Sequence, residues 1–344
     1  MKNKGKRFSI LYLGNRLSKH GFTPTSVETL GENLGEIVNV IRKSDKKNRI
    51  LRLIDMAWSI IKNKNIVRLV VIDTYSGKAF IYAFLCSRLC LLLNLKYIMI
   101  LHGGDLANIL RTKKTIAKMI FSLSYINISP SRYLQNVFID SGFQVKYLPN
   151  SIILNNYNFK LRKRCEPKLL WVRSIHKIYN PSMAIRVTSK LKKYFPNVKL
   201  CMVGPNKDNS KELCMTMIKE LCLEKHVSFA GLMLNKDWIS LSTQYDIFIN
   251  TTNYDNLPVS LIEAMALGMP IVTTNVGGIK YLQKHRQDAL LVERDDCDEM
   301  VKNIREIIAN KTLAENLSIN ARKKSEEFDW EFLKLEWQQT FRSC

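Results

Sequence analysis

NTTNYDNLPVSLIEAMALGMPIVTTNVGG, residues 250–278, is the stretch from which the fold can be read. It reads as loop, helix, strand and loop, with two carboxylates, Asp255 and Glu263, bracketing the helix start. Pro258 stands where a first-turn proline belongs, since its fixed φ suits a helix start and its missing N–H has no intrahelical partner there. Residues 260–267 are good helix formers, Gly268 suits the left-handed residue that ends a helix, and Pro270 forbids continuation. The apolar, β-branched IVTT then predicts a buried strand. A polar loop feeding a helix N-terminus traps anions and hydroxyls. The N–H groups of Asn256, Leu257 and the residues after Pro258 point outward with partial positive charge. Such a site suits a ligand carrying both phosphates and sugar hydroxyls.

Outward from that run, strand-like and helix-like segments alternate, which predicts parallel sheets with crossover helices. In the first half, strands are expected at 8–13, 69–73, 97–101, 125–129 and 144–148, with helices at 25–43 and 80–93. Residues 151–167 are polar, Asn-rich and carry the basic knot LRKRCEP without an apolar period, which predicts a linker. A second series follows at 168–172, 199–203, 227–230, 247–250, 270–273 and 289–292. A chain of 344 residues is too long for one compact core. Two sheets in tandem, with ligand residues at strand C-terminal ends, predict a cleft between two domains.

The 250–278 run resembles the nucleotide-sugar signature of the retaining GT-B glycosyltransferases, glycosyltransferase family 4 (group 1) type. That signature spaces two acids as Glu-x7-Glu, then continues as E-A-M-A-x-G-x-P and a Gly-Gly loop. Here Asp255 replaces the first Glu, Asn256-Leu257-Pro258 replaces Gly-Phe-Gly, and Glu263 is intact. The resemblance implies an α/β GT-B fold, two Rossmann-like domains with parallel sheets facing across a cleft. Residues 1–162 would be the acceptor-side domain and 163–325 the nucleotide-sugar domain, with 326–344 a helix packing back on the first. By the same resemblance, Glu263 holds the ribose hydroxyls, Asp255 contacts the donor sugar, and backbone N–H groups at Asn256 and Leu257 add sugar or phosphate contacts. LHGGDL, 101–106, supplies His102 at the family's active-site histidine, with Gly103-Gly104 behind it to let a ligand approach the backbone. Gly21 matches the first of a glycine pair that faces the diphosphate, and Phe22 stands at the second. After the 168–172 strand the family places a Gly-Arg pair and then a Lys-Gly, whose cations clamp the diphosphate. Arg173 takes the Arg position, Tyr179-Asn180 occupies the Lys-Gly position, and Lys177 lies nearby. Cations are needed there because cleaving a sugar–phosphate bond leaves growing negative charge on the β-phosphate.

Charge and composition bound the partners. The formal net charge is +23, and residues 1–150 hold 24 Lys and Arg against 8 Asp and Glu, while the rest of the chain holds 29 against 22. The first half therefore faces a polyanion: an anionic membrane surface, a phosphorylated glycan or nucleic acid. No basic stripe interleaved with aromatics supports nucleic acid. The eight cysteines form no CxxC pair, and most sit in apolar surroundings and read as buried free thiols of a reducing cytosol. MKNKGKRFSILYLG lacks a secretory leader's apolar run, and residues 79–101 are broken by Arg88, Asn94 and Lys96, reading as helix then strand instead of a membrane span. There is no P-loop, no G-x-G-x-x-G after the first strand, no G-x-S-x-G and no H-E-x-x-H. Asp296-x-Asp298 opens an amphipathic helix and reads as a cap, with no metal implied.

The resulting expectation is a retaining, metal-independent glycosyltransferase with no cofactor beyond its nucleotide diphosphate sugar donor. Its acceptor would be a glycan or lipid-linked hydroxyl in cell-surface polysaccharide or glycolipid synthesis. Its place would be the cytoplasm, peripheral on the inner face of the cell membrane. The alternatives are a GT-B nucleotide-sugar epimerase, which needs no acceptor, and an inactive glycosyltransferase-like binding protein.

Overall fold

The computed structural model describes residues 8–103 and 105–344. The opening MKNKGKR, on which much of the leader reading rests, and Gly104 lie outside the described residues. The chain forms two compact units, residues 1–151 with 330–344, and residues 152–329.

The first unit contains β1 (Ser9–Leu13), α1 (Ser26–Leu34), β2 (Asn39–Lys43), α2 (Arg49–Asn63), β3 (Val67–Thr74), α3 (Phe80–Leu92), β4 (Lys96–Leu101), α4 (Leu106–Thr112), α5 (Lys114–Phe121), β5 (Ile126–Ser129), α6 (Arg132–Asp140) and β6 (Val145–Tyr147). The second unit runs through β7 (Lys168–Val172), α7 (Pro181–Lys192), β8 (Lys199–Val203), α8 (Ser210–Glu220), β9 (Val227–Gly231), α9 (Asn235–Ser242) and β10 (Ile247–Asn250). It continues with α10 (Val259–Ala266), β11 (Ile271–Thr274), α11 (Ile279–Leu282), β12 (Leu290–Val292), α12 (Cys297–Ala309) and α13 (Lys311–Ser325). The last helix, α14 (Trp330–Arg342), belongs to the first unit, where Trp330, Trp337 and Phe341 are buried against Ile10, Tyr12 and Ile100.

Each unit is built on one six-stranded parallel sheet, ordered β2-β1-β3-β4-β5-β6 and β12-β11-β10-β7-β8-β9. Near-continuous apolar strands such as KYIMIL suit sheets that are buried on both faces by crossover helices. In each sheet the strand order reverses once, between β1 and β3 and between β7 and β10. The loops leaving the C-terminal ends of those pairs diverge, which opens a crevice for ligand.

Three expectations are corrected. Residues 25–43 are not one helix: α1 stops at Leu34, and after Gly35 the alternating stretch joins the sheet edge as β2. The helix α2 occupies a stretch for which no element was expected. Residues 151–167 do not behave as a free linker, because Tyr157, Arg162 and Cys165 are buried in the second unit. The units accordingly divide at 151/152, not at 162/163, and the return to the first unit starts at Trp330, not at 326.

Candidate nucleotide-sugar site

The second unit gathers its chemistry at the reversal between β7 and β10. Helix α10 begins one residue later than a first-turn Pro258 would have it, with the proline as the extended N-cap residue (φ −71°, ψ 111°). Gly268 adopts φ +68° just past the helix and β11 follows at Ile271. The Gly-Gly loop after β11 packs directly on the loop before α10. The Gly278 N–H donates to the Asp255 carbonyl at 2.9 Å. A Cβ on Gly278 would lie 1.6 Å from the Asn256 carbonyl oxygen, so only glycine fits there. Asn253 N–H donates to the Ile178 carbonyl at 2.8 Å, and Thr251 Oγ1 donates to the Asn180 carbonyl at 2.9 Å, tying the β7 and β10 loops together.

Arg173 leaves β7 into this junction and forms an ion pair with Asp255. Its guanidinium also lies over the Tyr179 ring, 4.6 Å from the centroid. Burial lowers the guanidinium's proton affinity, and the Tyr179 and Glu263 side chains oppose that trend. Tyr179 thus stands beneath the arginine where a family lysine is expected. Asn180 takes the glycine position in a left-handed conformation (φ 49°), which Asn tolerates better than most residues, and caps α7 by accepting from the Met183 N–H.

Glu263 lies in α10 and is buried. Its Oε1 accepts from the Tyr157 hydroxyl at 2.8 Å and from Asn235 Nδ2 at 2.5 Å. Both bonds fall on one oxygen, so Oε2 has no protein partner among the described residues. Burial pushes this carboxyl up to about 7, against the opposing effects of Tyr157, Asn235 and Arg173.

The remaining candidates fall out as follows. Leu257 is buried among the apolar side chains under α10. The Asn256 N–H does not point out for a ligand: it donates to Asp255 Oδ1 at 2.8 Å, a correction to the expected anion contact. Arg173 and Asp255 were expected to meet different parts of the donor, and here they meet each other. Lys177 is exposed in a short turn, with its N–H donating to Asp208 at 3.0 Å and no ion pair on its ammonium among the described residues. His102 and Gly21 belong to the first unit. His102 follows β4, with Nε2 2.9 Å from Asp73 Oδ1 and its ring stacked on Tyr75 at 5.3 Å. Asp73 also accepts from the Tyr12 hydroxyl at 2.8 Å. Gly21 adopts φ +77° to close a short turn after Ser18–His20, with nothing crowding its Cβ position.

Sequence reasoning missed Tyr157, Asn235, Asp73 and Gly204, and it placed Tyr179 at the lysine position without foreseeing its contact with Arg173. Of the four, only Gly204 gave a prior signal, a glycine closing β8, whose Cβ would lie 1.8 Å from the Arg173 carbonyl oxygen. Asp296 caps α12 through the Glu299 N–H at 2.9 Å. Among the described residues no group of three His, Cys, Asp or Glu side chains could hold a metal ion, and no helix is long and apolar enough to cross a membrane.

The family of glycosyl transferases group 1 matches residues 155–324, which takes in every residue of this second-unit site. An uncharacterized glycosyltransferase of Haemophilus influenzae is 30% identical over 193 residues, 55% of this chain and 52% of that protein. The capsular polysaccharide biosynthesis glycosyltransferase CapM of Staphylococcus aureus is 30% identical over 148 residues, 40% of this chain and 37% of CapM. The crystal structure of Anabaena HepE in complex with UDP and glucose is 17% identical, with a TM-score of 0.77 over 98% of this chain and 100% of that one. The chain belongs to the group 1 glycosyl transferases, and its two parallel-sheet units are the Rossmann-like domains of a GT-B fold. The matches span about half of the first relative and little more than a third of the second.

Proposed function

We propose that the chain is a retaining glycosyltransferase that needs no metal and moves a sugar from a nucleotide diphosphate to a hydroxyl acceptor. The observation that carries this is the Arg173–Asp255 ion pair at the strand reversal of the matched unit, with the buried Glu263 carboxyl close enough to feel the guanidinium's charge. The free Oε2 of Glu263 suits a ribose diol, which offers two donors to one carboxylate. On donor binding the diphosphate takes Arg173 from Asp255, since a phosphate accepts the planar guanidinium as well as a carboxylate does. Asp255, released, accepts from a hydroxyl of the donor sugar. The bond from C1 to the β-phosphate oxygen then breaks and the acceptor oxygen bonds C1 on the same face. The acceptor proton passes to the leaving β-phosphate, whose charge Arg173 and Lys177 stabilise. His102 keeps the role of the family's active-site histidine by resemblance, its Nε2 held 2.9 Å from Asp73 Oδ1.

The uridine nucleotide held by HepE makes UDP-sugars the first donors to test. CapM's name makes capsular or other surface polysaccharide the first acceptor class, on lipid-linked or glycan hydroxyls beside an anionic membrane. The test is a UDP-sugar panel with excess EDTA, followed by anomeric assignment of the product by NMR. Turnover with retained configuration is expected. Turnover only on adding Mn²⁺ or Mg²⁺ overturns the metal-free route, an inverted product overturns retention, and interconversion of the nucleotide sugar without acceptor favours an epimerase.

A further inference from the structure

Helix α2 carries apolar residues on the side that faces away from the protein. Ile50, Leu51, Ile54, Trp58 and Ile61 are all exposed, Ile50 at 70%, Ile54 at 57% and Trp58 at 61%. At 3.6 residues per turn these five fall in a sector about 100° wide and roughly 17 Å long. Met56 and Ile60 point the other way, into the core under the sheet. The neighbouring α3 buries Ala83, Cys86 and Cys90 in that same core and leaves Ile81, Leu85 and Leu92 exposed. Two adjacent helices on one sheet face thus turn apolar ridges to water, which an isolated soluble surface avoids.

The charge around these ridges says what covers them. Residues 46–123 contain 14 Lys and Arg against 3 Asp. Asp73 is fully buried beside His102, and Asp55 is paired with Lys43 at 3.2 Å. That leaves Asp105 as the one exposed and unpaired acid of the stretch among the described residues. Lys46, Lys47 and Arg49 stand at one end of the α2 ridge, and Lys62 and Lys64 at the other. A second copy of the chain would bring cations against cations, whereas an anionic bilayer complements both the charge and the apolar ridge.

We propose that the outward ridge of α2, with that of α3 beside it, inserts into the headgroup layer of an anionic membrane. Lys46, Lys47, Lys62 and Lys64 contact lipid phosphates, and Trp58 sits at the interface with its ring among the upper acyl chains. This names the docking surface for the membrane-side acceptor proposed above, on which it rests only for its biological purpose. The lipid experiment contains no nucleotide sugar, so its failure leaves the transferase reading standing.

Trp58 supplies the probe, because the other four tryptophans, Trp171, Trp238, Trp330 and Trp337, are buried. The full chain is titrated with vesicles of phosphatidylcholine alone and of phosphatidylcholine with phosphatidylglycerol, across a salt series. The expected result is a blue shift of emission with the anionic vesicles only, weakened by salt but with a salt-resistant remainder. Trp58→Gln abolishes the shift. Ile54→Gln with Ile61→Gln keeps the fold, as melting checks, and lowers vesicle partition on the order of ten-fold or more. Lys62→Gln with Lys64→Gln lowers only the salt-sensitive part. Undiminished sedimentation of the Ile54/Ile61 variant, or binding without an emission shift, overturns insertion by this ridge. Lipid-free dimerisation lost in that same variant overturns it too, and assigns the face to a second copy.

Discussion

A carboxyl that is sealed from water resists ionising even when an amide and a phenol bond to it, and Glu263 stands in that position, pushed up to about 7 from the ordinary 4.5. The raised value means that the folded state holds its proton where the unfolded chain has lost it. The contribution to stability is therefore fully present below about 4.5 and is lost as pH rises through about 7, a change of a few kcal/mol. Nucleotide affinity runs the opposite way over the same window, because the ionised form accepts both ribose hydroxyls. Glu263→Gln is expected to flatten both profiles and to cost on the order of 1.5–3 kcal/mol of UDP affinity at pH 8. Calorimetry and melting from pH 5 to pH 8 check this, and a wild-type affinity that ignores pH, or a variant that binds as well, removes Glu263 from the ribose. Glu263 and Arg173 were legible because they sit at fixed spacings within a motif. Tyr157 and Asn235 were not, since a tyrosine 106 residues away from its partner carboxylate leaves no local trace.

Backbone necessity governed what could be read of the elements. The end of α10 and the start of β11 fall where Gly268 and Pro270 place them, because a left-handed residue and a missing N–H act whatever the tertiary context. The supports of α10 are tertiary and stayed hidden. Arg162, read as part of a linker, donates to the Leu267 carbonyl at 2.5 Å, and Arg322 donates to the Ala266 carbonyl at 2.7 Å, so two cations close the helix's negative end. Helix α2 escaped notice because Leu53, Met56 and Ile60 inward and Ile54, Trp58 and Ile61 outward together blur any single apolar stripe. The site loops depend on close backbone approach, and there Gly278→Ala is the informative change. The new methyl must push the 255–256 backbone away, shifting Asp255 from Arg173. A loss of about 1–3 kcal/mol in stability is expected. UDP binding and transfer should fall further than Tm alone would explain. Unaltered transfer in the folded variant counts against the Arg173–Asp255 junction as the donor site.

At the scale of the molecule, the chain crosses from one unit to the other twice, and its last helix stabilises the unit in which it began. Trp337 is buried with Trp330 and Phe341 against the β1 side of the first sheet, while the second unit closes its own two cores without them. Removing that side chain by Trp337→Ala opens a large cavity and should cost the first unit about 3–5 kcal/mol, which lowers its melting temperature by roughly 10 °C. The proposed nucleotide contacts, Glu263 and Arg173, lie wholly in the second unit. Free UDP at a hundred times its Kd therefore adds about 2.7 kcal/mol to that unit alone. Differential scanning calorimetry should resolve two transitions in the Trp337→Ala protein, the lower one indifferent to UDP and the upper one raised by it. If the substitution lowers the transition that UDP raises, α14 stabilises the nucleotide unit and its assignment to the first is wrong. If UDP raises both transitions equally, the two units melt as one cooperative body.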